Sequence, residues 1–188
     1  MIRVATSTDS QAILDIYAPY ITDTAITFET EVPDISAFTQ RVTAICAQYP
    51  FLVYLEGNDI VGYAYASQHR ERAAYRYGVD VSIYVLPQYH GSGVAHRLYG
   101  CLFELLKMLG YYNAYAACTV PNDKSIRFHQ KLGFTLIGTH HNTGYKLGKW
   151  HDVVWLEKVL SEYKERPDEI KGIDELGEEQ LQAVLGGF

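Results

Sequence analysis

Residues Val79 to Leu109, VDVSIYVLPQYHGSGVAHRLYGCLFELLKML, constrain this chain more than any other stretch. Val79, Val81, Ile83 and Val85 alternate with Asp80, Ser82 and Tyr84, and a period of two with β-branched residues on the apolar side predicts a half-buried strand. Pro87 stops it. The glycine-bearing run His90-Gly91-Ser92-Gly93-Val94-Ala95 follows, and Val94, Leu98, Leu102, Leu105, Leu106 and Leu109 then recur at helical spacing up to Gly110. A strand that turns through glycines into a helix offers an anion site, because the first helical N–H groups lack partners and the dipole is positive there. An ordinary tight turn uses the same residues, so both readings stand at this point. The dinucleotide fingerprint lacks its third glycine and its ribose-binding acid. GxxxxGK[ST] is absent, which argues against a P-loop nucleotidase.

Taken in order, Met1 to Ala5 reads as a first strand, and Thr8-Asp9 caps a helix through Ala12, Ile13, Ile16 and Tyr17 that Pro19 bends or ends. Ala25 to Thr30 reads as a loop or short strand. Asp34 caps a second helix carrying Phe38, Val42 and Ile45. Phe51–Leu55 and Ile60–Gln68 form a hairpin about Glu56-Gly57-Asn58-Asp59. Asn113–Cys118 is a strand, Asn122-Asp123 starts a helix that ends at Gly133, Phe134–Gly138 is a strand, Tyr145–His151 a loop, and Asp152–Leu160 a last strand. The order β α α β β β α β α β β predicts an α+β (mixed α/β) fold, a mixed sheet with helices on its faces. Residues 1–160 make one domain. Residues 161–188 form a charged tail in which Gly177–Leu185 either docks as a short amphipathic helix or frays.

With 188 residues, of which 48% are hydrophobic and 20% charged, the chain has the composition of an ordinary globular domain. A net charge of −6 argues against a general nucleic-acid binder. Cys46, Cys101 and Cys118 are widely spaced and form no CxxC, so buried free thiols are expected and no metal site is. Arg3 and Asp9 interrupt any N-terminal apolar run, and no stretch is long enough to span a bilayer; a cytoplasmic protein without a membrane partner is expected. Arg70-Glu71-Arg72 and Tyr75-Arg76-Tyr77 form either a solvated connection or a clamp for an anionic substrate, since arginine grips such groups with two parallel hydrogen bonds.

His90, Gly93 and Ala95 fall in the slots of the Gln/Arg-x-x-Gly-x-Gly/Ala loop with which the GNAT superfamily of N-acetyltransferases holds the acetyl-CoA pyrophosphate, His90 standing where Gln or Arg is usual. Asn122-x-x-Ser125-x-x-Phe128-His129-x-Lys131-x-Gly133-Phe134 is similar to a second segment of that superfamily. Thr27-Phe28-Glu29-Thr30, Gly62-Tyr63-Ala64-Tyr65-Ala66, Arg72-Ala73-Ala74-Tyr75-Arg76 and Trp150-His151-Asp152-Val153 extend the resemblance over roughly residues 2 to 158, and point to the phosphinothricin and methionine sulfoximine acetyltransferases. The resemblance implies that Ile83, Tyr84 and Val85 meet the pantetheine arm, that His90, Gly91, Ser92, Gly93, Val94 and Ala95 surround the pyrophosphate, and that Asn122 and Ser125 contact acetyl-CoA further along. It gives Asp80, in a slot usually held by Glu, the part of base through a water, and His129 that of proton donor to the departing thiolate. Phe28, Glu29, Thr30, Arg70, Arg72 and Tyr75 fall at acceptor-binding positions, and a homodimer is expected.

The activity so implied is acetyl transfer from acetyl-CoA to the α-amine of a small amino-acid-like substrate. Two other readings fit the same residues. One is transfer to a polyamine, a peptide N-terminus or an aminoglycoside. The other is CoA binding with little turnover, because Asp80 replaces Glu.

Overall fold

The alternating runs build a seven-stranded sheet in the computed structural model, which describes residues 1–188. In chain order the elements are β1 (Ile2–Val4), α1 (Ser10–Asp23), α2 (Ile35–Cys46), β2 (Phe51–Glu56), β3 (Asp59–Gln68), β4 (Gly78–Val85), α3 (Val94–Leu109), β5 (Asn113–Val120), α4 (Asp123–Lys131), β6 (Thr135–Lys146), β7 (Lys149–Val159) and α5 (Glu178–Gly186). The strands lie in the order β1-β2-β3-β4-β5-β7-β6. Every neighbouring pair is antiparallel except β4 and β5. No helix is long and apolar enough to cross a membrane.

The strand alternation sorts the core into two layers. Leu52, Ala64, Ala66, Val79 and Val81 meet Leu98, Leu102 and Leu106 of α3 on one face, while Phe51, Val53 and Tyr63 meet Ile13, Tyr17, Phe38 and Val42 of α1 and α2 on the other. α3 buries a full stripe because its leucines recur at three and four. It stops at Gly110, whose φ of 96° lets the chain turn left-handed with its N–H bonded back into the last turn. The mixed sheet with helices on both faces is the one expected.

Three details differ from the sequence reading or decide it. α1 runs past Pro19 to Asp23; Pro19 and Asp15 are both exposed, so the carbonyl that loses its helical partner faces water. Residues 145–151 are not a loop. β6 and β7 continue into a tight hairpin at Leu147-Gly148, with φ of 51° and 77°, a turn geometry that suits the strand twist. Periodicity missed it because most of β6 is exposed on both faces and carries no apolar alternation. The tail docks. Lys171 N–H bonds the Leu109 carbonyl at 3.0 Å, Leu185 is buried, and the Phe188 ring lies where a Cβ on Gly100 would come within 2.5 Å. Cys101 is covered by the same segment, its Sγ 3.4 Å from the Val184 carbonyl.

Leu185→Ala is expected to cost about 2 kcal/mol or more, the usual toll of a buried leucine truncation. Urea titration checks it: a lowered midpoint shows a docked tail, and an unmoved midpoint shows a frayed one.

Candidate active site

β4 and β5 hold together only where Gly78–Asp80 pairs with Asn113–Tyr115. Beyond that register the strands diverge, although β4 continues to Val85 and β5 to Val120. The gap is a cleft lined by Val81, Ser82, Ile83 and Tyr84 of β4, Ala116, Ala117 and Cys118 of β5, and Asn122, Ser125 and His129 at α4, with Ile26 and Tyr99 at its margins. Along it the facing backbone edges pair with no strand, so an extended chain carrying amides can take the place of the missing ladder.

The mouth of the cleft leads to the N-terminus of α3. Gly91 and Gly93 have φ of 81° and 93°, a region that favours glycine. A Cβ on either would meet nothing within 4 Å, so the backbone there is open to a ligand. The N–H groups of Gly91, Gly93, Ala95 and His96 make no hydrogen bond within the protein. Four free donors at a helix N-terminus make a cradle for a diphosphate. The His90 side chain turns away from it: Nε2 sits 2.9 Å from the Val85 carbonyl and 3.2 Å from the Tyr20 hydroxyl, which itself donates to Val85 at 2.6 Å. His90 thus ties down the end of β4, and its Nδ1 is the ring atom left for the loop.

On the α4 side, Asn122 caps the helix, its Oδ1 accepting from Ser125 N–H at 3.3 Å. His129 is buried, and burial holds its pKa below the usual imidazole value. Its Nδ1 lies 2.8 Å from the Ser125 carbonyl and its Nε2 3.3 Å from the Tyr99 hydroxyl. A neutral ring satisfies both contacts, donating from Nδ1 and accepting at Nε2. To protonate a sulfur it must first take a second proton, which burial opposes. Cys118, 3.3 Å from the Ser125 hydroxyl, is buried and its thiol is pushed up, so it stays protonated and unreactive.

Asp80 lies on the opposite face of β4, with its carboxyl raised by burial and partly restrained by His69 and Arg70. His69 Nδ1 is 2.6 Å from Asp80 Oδ1. Arg70 stacks over Trp155 at 5.8 Å. Arg72 shares a recess with Arg70 and Glu71. Gln68, Arg76 and Lys171 line it too, and Tyr75 lies between that recess and a cavity walled by His69 and Tyr115. Phe28, Glu29 and Thr30 belong to a strap between α1 and α2. Phe28 lies against Gly144, where a Cβ would come within 2.5 Å of its ring. Glu29 bonds Tyr17 and Arg41, Lys146 Nζ holds the Thr27 carbonyl at 2.8 Å, and Thr30 faces solvent. Glu29 is therefore already committed to holding the strap.

The chain matches the acetyltransferase (GNAT) domain family over residues 2–155. It belongs to that family. It is 31% identical to a phosphinothricin N-acetyltransferase of Streptomyces coelicolor over 85% of this chain and 95% of the relative. It is 31% identical to an L-methionine sulfoximine/L-methionine sulfone acetyltransferase of Salmonella typhimurium over 86% and 95%. A phosphinothricin acetyltransferase from Sinorhizobium meliloti, solved in complex with AcCoA, superposes with a TM-score of 0.87 at 32% identity, over 94% of this chain and 97% of that one. This GNAT protein is therefore an acetyl-CoA-dependent N-acetyltransferase. The residues present fit acetyl-CoA: unpaired amides for the diphosphate, and a strand-free edge for the pantetheine arm. Acetyl-CoA supplies the activated thioester, and the chain supplies binding, orientation and proton management.

Sequence reasoning missed His69, Tyr99, Tyr115 and Trp155 in this GNAT site. Only the β3–β4 register, with Ser67 opposite Asp80, brings residue 69 beside residue 80, and the irregular connection at 69–77 hides that register from the sequence. Gly93→Val puts a β-branched residue at a left-handed position and is expected to weaken acetyl-CoA binding at least about tenfold. Equilibrium titration checks it, and an unchanged affinity would remove the loop from the binding site.

Proposed function

We propose that the enzyme acetylates the α-amine of a small amino acid bearing a tetrahedral polar head, of the methionine sulfone, methionine sulfoximine or phosphinothricin type. The relatives named for these compounds support the reading. The observation that carries it is the makeup of the acceptor face, where Asp80 is flanked by Arg70, and where Arg70, Arg72, Arg76 and Lys171 outnumber the one acid, Glu71, in the adjoining recess. An anionic or strongly polar head and a carboxylate both suit guanidinium groups. A polyamine or an aminoglycoside would meet repulsion there.

In this reading the acceptor enters under the strap that contains Phe28 and Thr30. Its ammonium loses a proton on the Asp80 side and its nitrogen attacks the thioester carbonyl in the β4–β5 gap. Free N–H groups along β4 are placed to stabilise the oxyanion. His129 and Tyr99 lie where the sulfur departs, and His129 serves as donor only after taking a proton.

Residues 1–160 act as the catalytic body and the tail as its brace. Exposed Leu136, Ile137, Tyr145, Leu147 and Trp150 on the β6–β7 hairpin support a homodimer through that surface.

Thiol release from acetyl-CoA, followed over a panel of amines, tests the assignment. Turnover is expected with methionine sulfone, methionine sulfoximine or phosphinothricin. No release with any of them would overturn it. Arg72→Glu is expected to raise KM for these acceptors about 10–100-fold with little change in kcat, as loss of uniform binding requires. Improved turnover of a polyamine by wild type or variant would favour a cationic acceptor instead.

A further inference from the structure

The carboxylate that this site offers as a base is already engaged. Asp80 Oδ1 is bonded to His69 Nδ1 at 2.6 Å. The His69 ring lies flat on Tyr115, with centroids 4.1 Å apart and planes at 19°. Tyr75 and Trp155 meet it edge-on at 6.3 and 6.2 Å. One carboxylate and three aromatic rings thus fix the imidazole in position and angle. Only 12% of the His69 side chain is exposed, against 32% of Asp80.

A carboxylate bonded to Nδ1 keeps the ring proton on that nitrogen and leaves the lone pair of Nε2 bare. His69 Nε2 makes no hydrogen bond within the protein, and it is not sealed from solvent. His69 also walls a cavity of about 230 Å³ together with Tyr75, Tyr77, Tyr115, Tyr163 and Lys164. A fixed ring, an oriented tautomer and an open acceptor atom beside a cavity are the requirements of a general base.

We infer that His69 is the proton acceptor of this transferase, its Nε2 receiving the ammonium proton of the substrate while Asp80 orients the ring and balances the imidazolium. The inference rests on the acetyl-transfer reading above and refines it: Asp80 becomes a positioning residue. The step balances. The ammonium gives one proton to Nε2; the freed lone pair forms the N–C bond; the C–S bond breaks with its electron pair on sulfur; the second proton of the acylated nitrogen passes through water to the thiolate, and the imidazolium returns its own proton to water. The short side chain of Asp80 is thereby explained, because the imidazole spans the distance a longer carboxylate would otherwise cover.

The test is a mutant cycle on the full chain, with acetyl-CoA affinity measured for each variant. His69→Ala and Asp80→Asn should each lower kcat by about 10²–10⁴-fold with acetyl-CoA affinity unchanged. The double variant should lose little more than the worse single one, as expected of groups that act as a unit. Imidazole in the buffer should restore part of the His69→Ala rate, which a merely structural role would not allow. If His69→Ala folds poorly, His69→Gln keeps the bulk and a hydrogen bond to Asp80, and the same loss of kcat is expected. A His69 variant that keeps kcat within about threefold while Asp80→Asn loses it would overturn the inference and return the proton to the carboxylate. A wild-type protein that acetylates none of the amines would instead overturn the proposed function, so the two failures are distinct.

Discussion

The site depends on a parallel pairing that starts and then gives out. Gly78–Asp80 bonds to Asn113–Tyr115, and past that point the two strands at the middle of the sheet separate. Unpaired backbone in a protein interior costs free energy unless something satisfies it. Here the unmade ladder is the binding surface, and the surrounding sheet holds it open: β3 stays in register with β4 from Gln68 to Gly62, and β7 stays in register with β5 from Val159 to Asp152. Leu98 and Leu102 of α3 then buttress β4 from one face, and Tyr17 and Tyr20 of α1 meet Tyr84 from the other.

Two environments flank this gap and divide the chemistry. On the α4 side His129, Tyr99 and Cys118 are buried, and burial favours the neutral form of each. On the α1 side Tyr63 and Tyr84 are likewise held protonated far above their ordinary range, while Tyr17 is pushed up to about 12. Tyr17, Tyr63 and Tyr84 thus form a wall of neutral rings with polar tips. Beside the parallel pairing Asp80 meets His69 with Arg70 close by, and Glu157 bonds Asn113 from the β7 side, which gathers the chargeable groups at one place.

What could be read beforehand follows from what is local in sequence. The strand–glycine–helix unit at 79–109 was legible because period two, left-handed glycines and a leucine stripe are all adjacent along the chain. The hairpin at 147–148 was not, because β6 is solvent-facing and carries no alternation. Docking of the tail rests on the fit of Leu185 and Phe188 against α3, and no pattern in residues 161–188 specifies that partner. The same limit hid His69. Its meaning comes from Asp80, Tyr115 and Trp155, which arrive from three other strands. Glu29 shows the converse: a residue in an acceptor motif whose carboxylate is spent on Tyr17 and Arg41.

Amide hydrogen exchange with and without saturating acetyl-CoA tests the central claim most directly. If the β4 edge and the α3 N-terminus hold the ligand, slowed exchange appears in two tracts, residues 81–85 and residues 91–96. Protection confined to any other part of the chain, or none at all at saturation, would contradict the account.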